Sequence, residues 1–262
     1  MKVVLFCGGL GMRLREFSEN TPKPMVPIGY RPIIWHLMKY YAHFGYKEFI
    51  LCLGYRADLI KNYFINYNEW LSNDFVLSGD GSTKMLNTDI HDWKITFCET
   101  GVSSNIAQRL MAVREHLQGE EYFMANYADN LCSMHLPSLV DFAMERKKVA
   151  CLLSVTPAQT FHSVDIDKDG RVKGIHDMTQ TGLVINGGFF ILRKDIFDYI
   201  RPGDELVHAP FGRLIEKGEL VSYRYDGFFA AMDTFKERQH LEDLFTKGNA
   251  PWEVWKTPAV KA

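Results

Sequence analysis

Three glycines, Gly8, Gly9 and Gly11, break the chain directly after the apolar run Val3-Val4-Leu5-Phe6, and the cations Arg13, Arg15 and Lys23 follow closely. Glycine has no Cβ, so main-chain N–H groups can close around phosphate oxygens, and nearby cations neutralise charge that backbone dipoles alone would leave unbalanced. Lys23 stands between Pro22 and Pro24. The two rings fix φ and remove backbone donors, so the ammonium is presented on a stiff segment. The natural ligand of such a loop is a nucleoside triphosphate. A glycine-rich turn after a strand is also common as nothing more than a turn, and two familiar phosphate motifs fit poorly. Met12-Arg13 follow Gly11 where a P-loop needs Lys-Ser/Thr, and the dinucleotide fingerprint lacks its third glycine. A dinucleotide-dependent oxidoreductase also wants an acid about twenty positions on, for the ribose. Here that stretch is Pro22-Lys23-Pro24.

Two carboxylates far apart in sequence hold comparable places. Asp129 follows a strand predicted over 121–125, where an acid just past a parallel strand can hold a divalent metal and can equally cap a turn. Asp233 precedes a helix predicted over 234–245, where the helix dipole alone favours an acid. Ser103 and Ser104 stand ahead of the apolar-periodic Ile106, Leu110, Val113 and Leu117, a pattern that reads as a capped helix start.

The elements that must carry these residues alternate. Strands are predicted over 3–6, 49–53, 95–98, 121–125, 150–155 and 182–192, and helices over 32–45, 58–67, 136–146 and 234–245. Such alternation implies a parallel sheet with right-handed crossovers, whose ligands sit at the carboxyl ends of the strands. A hairpin is predicted over 164–175 around Asp167-Lys168-Asp169-Gly170. Gly187-Gly188, inside the strand of 182–192, can mark a bulge. Over 71–92 the pattern weakens, and this stretch is expected to be an irregular excursion open to subunit contact.

The chain has 262 residues and is 47% hydrophobic, enough for one large α/β domain. A net charge of −2 gives no overall pull towards nucleic acid or an acidic membrane, so any polyanion must be held by local cations. No apolar run approaches the length of a membrane span, and a cytoplasmic protein is expected. The five cysteines form no CxxC pair and the nine histidines no HxH or HExxH, which assigns the cysteines to packing and argues against zinc.

Taken together, GGLGMRL (8–14), PKPMVPIGYRPIIWHLMKYY (22–41), CLGY (52–55), IKNYF (60–64), the Glu99-Thr100-Gly101 and Arg109-Leu110 ends of 99–110, INGGFF (185–190), MDT (232–234) and APWEVW (250–255) resemble the sugar-1-phosphate nucleotidylyltransferases. Within them the glucose-1-phosphate cytidylyltransferases are most similar, over essentially the whole chain in the family's order. The resemblance implies a Rossmann-like mixed, mostly parallel sheet flanked by helices, with a small antiparallel lobe on the acceptor side. It implies one domain over 1–262, with a triphosphate half of about 1–135, an acceptor half of about 136–235 and a C-terminal helix and tail over 236–262. The implied reaction is Mg²⁺-dependent transfer of CMP from CTP to a phosphorylated acceptor, with release of pyrophosphate, by a homo-oligomer.

The same resemblance makes Arg13, Lys23, Asp129 and Asp233 catalytic, with the two aspartates on Mg²⁺. Leu5, Gly8, Gly9, Gly11, Met12, Arg13, Lys23, Ser104, Arg109 and Ala128 fall at nucleotide positions, Arg109 facing either the cytosine carbonyl acceptors or a triphosphate oxygen. Tyr127, Asn186 and Gly187 fall at acceptor positions. Three stretches depart from the family. Tyr127-Ala128-Asp129-Asn130 replaces Tyr-Gly-Asp-Gly, Ile175-His176-Asp177-Met178 replaces Glu-Lys-Pro, and 206–211 (Leu206, Val207, His208, Ala209, Pro210, Phe211) lacks the acids that precede a Pro-Leu. Without the family's lysine, Lys173 and His176 are the nearest cations for an acceptor phosphate. An acceptor other than glucose 1-phosphate is therefore expected: a modified or less hydroxylated sugar phosphate, or a non-sugar phosphate or phosphonate. A non-catalytic nucleotide-binding or regulatory member is the alternative, against which the retention of Arg13, Lys23, Asp129 and Asp233 together argues.

Overall fold

The computed structural model describes residues 1–9, 21–157 and 162–256. The first half runs β1 (Val3–Phe6), a short ribbon of β2 (Pro27–Ile28) and β3 (Arg31–Pro32), α1 (Ile33–His43), β4 (Glu48–Leu53), α2 (Ala57–Ile65), a hairpin of β5 (Phe75–Leu77) and β6 (Thr83–Met85), β7 (Lys94–Glu99) and α3 (Ile106–Ala112). The second runs β8 (Tyr122–Tyr127), β9 (Asn130–Cys132), α4 (Leu136–Arg146), β10 (Ala150–Val155), a hairpin of β11 (His162–Ile166) and β12 (Val172–Asp177), β13 (Ile185–Asn186), β14 (Phe190–Arg193), α5 (Ala209–Glu216), β15 (Leu220–Tyr225), β16 (Phe229–Ala231) and α6 (Phe235–Thr246).

Eight strands form the central sheet in the order β13-β10-β14-β8-β1-β4-β7, with β15 added to β10. β1 pairs in parallel with β4 and β8, β4 with β7, and β10 with β15, while β14 runs antiparallel to β8 and β10. The mixed, mostly parallel sheet that the resemblance implies is therefore present, with β14 antiparallel where the alternation alone implies a parallel sheet. Its faces follow from the period of two in a strand. Val3 and Leu5 of β1, Leu51 of β4 and Met124 of β8 pack with α1, α2, α4 and α6, whereas Val4, Phe6, Ile50 and Phe123 pack with α3 and α5. Helices on both faces leave the carboxyl ends of β1, β4, β7 and β8 together on one open edge.

Three departures from expectation have local causes. The strand predicted over 182–192 is broken into β13 and β14 at Gly187-Gly188-Phe189, where Gly188 has φ +74 and Phe189 is held at φ +45. A Cβ on Gly188 would come within 2.4 Å of Asn126 Oδ1, so only glycine fits. β8 continues two residues past its predicted end because Tyr127 stays in register with Phe6. The excursion over 71–92 contains the β5–β6 hairpin and is tied to the body by charge. Arg31, fully buried, has Nη2 3.7 Å from Asp89 Oδ2, and Lys39 Nζ donates to Asp89 Oδ1 at 2.8 Å.

Candidate active site

Lys23 lies on a short 3-10 turn between its two prolines, and its Nζ donates to Asp129 Oδ2 and to Asp233 Oδ1, each at 2.5 Å. A separate two-stranded ladder brings the two aspartates together. β9 pairs antiparallel with β16, Ala231 opposite Asn130, and Met232 N donates to Asp129 O at 2.8 Å just beyond the ladder's end. Asp233 does not cap α6. Thr234 is the N-cap and forms a capping box with Glu237, whose carboxylate also takes Asp233 N at 2.8 Å. With both helix-start functions met by Thr234 and Glu237, the Asp233 carboxylate is left to face Lys23. Burial works against the Lys23 charge, but the charges and hydrogen bonds of Asp129 and then Asp233 outweigh it and raise its pKa above 10.5. The ammonium is fully charged at neutral pH.

Arg109 organises the other side of this edge. The residue is 2% exposed, and its Nη groups donate to Leu53 O at 3.1 Å, Thr100 Oγ1 at 2.7 Å, Gly8 O at 2.9 Å and Val102 O at 3.4 Å. One side chain thus ties together the turns that follow β1, β4 and β7. Gly8 is glycine because a Cβ would lie 1.9 Å from Arg109 Nη1, and Gly54 because a Cβ would lie 2.8 Å from Gly8 O. The fork expected to face a base or phosphate is turned onto the protein's own carbonyls. Burial pulls its pKa below 12.5, yet a guanidinium remains charged under all ordinary conditions. Ser104 donates to Thr100 O at 2.5 Å, and the α3 cap falls one residue later, on Asn105 with Gln108.

The acceptor-side residues gather around the broken strand. Asn186 Nδ2 lies 3.4 Å from Tyr127 OH, and Asn186 Oδ1 takes Gly188 N at 2.9 Å. Burial pushes the Tyr127 phenol up to about 12 against the Asn186 hydrogen bond, with Glu205 and Asp129 adding to the rise. Beneath them sits a pair that sequence reading passed over. Asn126, fully buried, accepts Phe189 N at 3.0 Å and exchanges hydrogen bonds with Asn130, whose Nδ2 also reaches Gly187 O at 3.2 Å. Asn130 therefore holds the Asp129 turn against the Gly187 break. Asn126 and Asn130 are four residues apart across a tight turn, a spacing that could have suggested such a clamp.

Lys23, Asp129 and Asp233 meet at one point, Gly8 and Arg109 meet at a second to which Ser104 is linked through Thr100, and Tyr127, Asn186 and Gly187 lie at a third. Gly9 is exposed beside Gly8. Gly11, Met12 and Arg13 lie outside the described residues. Leu5 is fully buried with its main chain paired to β4 and β8, and Ala128 is buried in the apolar core, so both side chains support the edge from below. Lys173 and His176 lie on the exposed β11–β12 hairpin, a separate two-stranded sheet, where His176 Nε2 is 3.2 Å from Asp165 Oδ2. The five cysteines are free and buried. A cleft of about 870 Å³ lined by Arg114, Glu121, Arg193 and their neighbours lies at the opposite end of β8 and holds none of these residues.

Two carboxylates converging on one cation form a hard, oxygen-only donor pair, which suits Mg²⁺, an ion that takes one or two carboxylates and completes its shell with phosphate oxygens and water. Among the described residues, no cluster of three or more His, Cys, Asp or Glu is arranged to hold a metal alone. Phosphate oxygens would have to complete the shell.

Residues 2–215 match the sequence profile of the family described as Nucleotidyl transferase. The chain is 37% identical to a probable glucose-1-phosphate cytidylyltransferase of Bacillus subtilis (strain 168), covering 97% of this chain and 100% of that one. It is 36% identical to the glucose-1-phosphate cytidylyltransferase of Salmonella typhimurium, again over 97% and 100%. The fold is similar to that of a UDP-glucose pyrophosphorylase solved with UDP-glucose, with a TM-score of 0.69 at 15% identity over 94% of this chain and 98% of the other.

Proposed function

Because the chain belongs to the nucleotidyl transferase family, and is a sugar-1-phosphate nucleotidyltransferase, we propose that it transfers CMP from CTP to a phosphorylated acceptor other than plain glucose 1-phosphate. One observation carries the chemistry: an ammonium and two carboxylates from three distant segments meet at Lys23 Nζ, each oxygen 2.5 Å away. The similarity of the cytidylyltransferases over nearly the whole chain supports the base.

An oxygen of the acceptor phosphate attacks the α-phosphorus in line, and the bond from that phosphorus to the pyrophosphate oxygen breaks. A phosphate dianion is already a nucleophile and needs no general base. The protein must position two anions that repel each other and offset charge on the transferring group. The amides of Gly8 and Gly9, with Gly11, Met12 and Arg13, hold the β- and γ-phosphates, and Lys23 serves the α-phosphoryl group. Ser104 shapes the pocket for the base, and the buried Arg109 charge holds the Gly8 turn in place. Asp129 and Asp233 would hold Mg²⁺, which supplies charge neutralisation on the phosphates when bound.

On the acceptor side, Tyr127, Asn186 and Gly187 are read as the wall that meets the sugar or its replacement, with Lys173 and His176 as cations for its phosphate. At the altered 206–211 stretch, Leu206 and Phe211 pack into the core and no carboxylate stands where the family carries acids. A ligand with fewer hydroxyls suits that wall. The test is a screen of sugar phosphates, deoxysugar phosphates and phosphonates with CTP, following pyrophosphate. Turnover of glucose 1-phosphate as efficient as that of any other acceptor, with a KM in the usual range of roughly 1 μM to 1 mM, overturns the acceptor assignment.

A further inference from the structure

The same point where Lys23 meets the carboxylates has a second consequence. Asp129 and Asp233 cannot readily separate: Asp129 sits in the turn between β8 and β9, Asp233 lies between β16 and the capping box of α6, and the Met232 N to Asp129 O bond of 2.8 Å ties one to the other. Lys23 is the member free to change partner. Its main chain is set by prolines, but its ammonium rides on a four-carbon stem, whereas an aspartate has one methylene. Nζ fills the gap between the two carboxylates at 2.5 Å from each, so a metal ion bridging them has to take the place that Nζ holds.

Charge points the same way. Two carboxylates and one ammonium leave this cluster at −1, the sign of the triphosphate that it must receive. A divalent cation in the gap reverses it to +1 and leaves the ammonium without its partners beside a polyanion. We propose that Lys23 is the resident occupant of the metal position in the ligand-free protein, and that metal entry expels the ammonium onto the nucleotide, so that loading the metal and delivering the Lys23 charge are one event. Metal and nucleotide then bind with positive coupling, each raising the affinity for the other by the same factor. This inference rests on the reading of Asp129 and Asp233 as metal ligands.

The experiment measures Mn²⁺ binding by electron paramagnetic resonance, first without nucleotide. Lys23→Met is expected to bind Mn²⁺ at least tenfold more tightly than wild type, and Lys23→Arg, which keeps a cation in the gap, to bind as weakly as wild type. Adding Asp129→Asn to Lys23→Met should abolish the gain. Equal or weaker binding by Lys23→Met, or a gain that survives Asp129→Asn, overturns the inference. A parallel measurement in CTP separates it from its premise. If Asp129→Asn and Asp233→Asn leave Mn²⁺ binding in CTP unchanged, the metal reading has failed; if they abolish it while Lys23→Met matches wild type without nucleotide, only the Lys23 role has. Because removing the cation between two carboxylates can destabilise the fold, Lys23→Gln is followed by thermal unfolding as well. Its Tm should rise more on adding Mn²⁺ than that of wild type, and an equal rise counts against the proposal.

Discussion

His36 makes the Lys23 segment sensitive to acid. The ring is fully buried in α1, its Nε2 lies 3.0 Å from Ile28 O, and its Nδ1 takes the Trp252 indole N–H at 3.2 Å. An indole only donates, so Nδ1 must be the lone-pair nitrogen and Nε2 must carry the proton that Ile28 O accepts. Charging Nδ1 would set one N–H against another in an apolar site. Burial accordingly pulls the His36 pKa down from 6.5 to about 4, against the Ile28 hydrogen bond and with Lys256 and Arg31 adding to the fall. The folded value is the depressed one, so the unfolded chain takes up this proton first. The stabilisation is complete above pH 6.5, falls as the pH drops, and stops changing below about 4. That interval, at 1.36 kcal/mol per pH unit, amounts to about 3 kcal/mol, a large part of a typical 5–15 kcal/mol. Ile28 follows the Pro22-Lys23-Pro24 turn in sequence, so the loss bears on the segment that presents Lys23. The assay is urea unfolding of wild type and His36→Gln between pH 8 and 4. Wild type should lose about 3 kcal/mol more than the variant across that range, and parallel decline of the two would refute the assignment.

Asp129→Asn should lower metal-dependent turnover by about 10²-fold or more, the scale on which a lost electrostatic contact acts in a reacting site, while leaving the unfolding transition nearly in place; near-normal rates would exclude the metal role. Lys23→Ala should reduce kcat more than it raises the KM for the triphosphate, since charge shifts at the α-phosphorus only as the bond to pyrophosphate breaks. A change confined to KM would demote Lys23 to an anchor. Arg109→Met removes the buried charged donor shared by Gly8 O, Leu53 O and Thr100 Oγ1 and should destabilise the fold by roughly 3 kcal/mol in urea, with Arg109→Lys no rescue because an ammonium lacks the fork. Retained stability would mean that the three turns are held elsewhere. CTP should be used at least about tenfold better than UTP or dTTP in a side-by-side assay, as one or two hydrogen bonds can enforce, and equal use would remove the cytidine assignment.

Elements buried by a regular period were legible in the sequence, and elements defined by their partners were not. Leu136–Arg146 and Ala150–Val155 fall where their apolar spacing put them. β9 and β16 are three residues each and carry no period long enough to read. They exist because they pair with each other, and that pairing is what sets Asp129 beside Asp233. α5 and β15 were passed over as well, although β15 lines up in parallel with all of β10.

For the site, residue type located the charged groups and could not state their direction. Lys23 between its prolines was readable as a presented ammonium, because proline's constraint is local and belongs to the residue itself. Arg109 was placed near the nucleotide by its motif, but the motif is silent on which way a six-bond side chain turns. The answer is written at Gly8 and Gly54, whose missing Cβ atoms leave room for the guanidinium and for the close approach of three turns. Two glycines in separate motifs thus report one arginine in a third. Asn130 follows the same logic in reverse. Where the family has glycine, this chain spends a side chain on binding Asn126 and Gly187, so the turn that carries Asp129 is held by a hydrogen bond and not left to backbone freedom. A substitution that reads as a defect against the family pattern is, in this fold, part of what aims the carboxylate at Lys23.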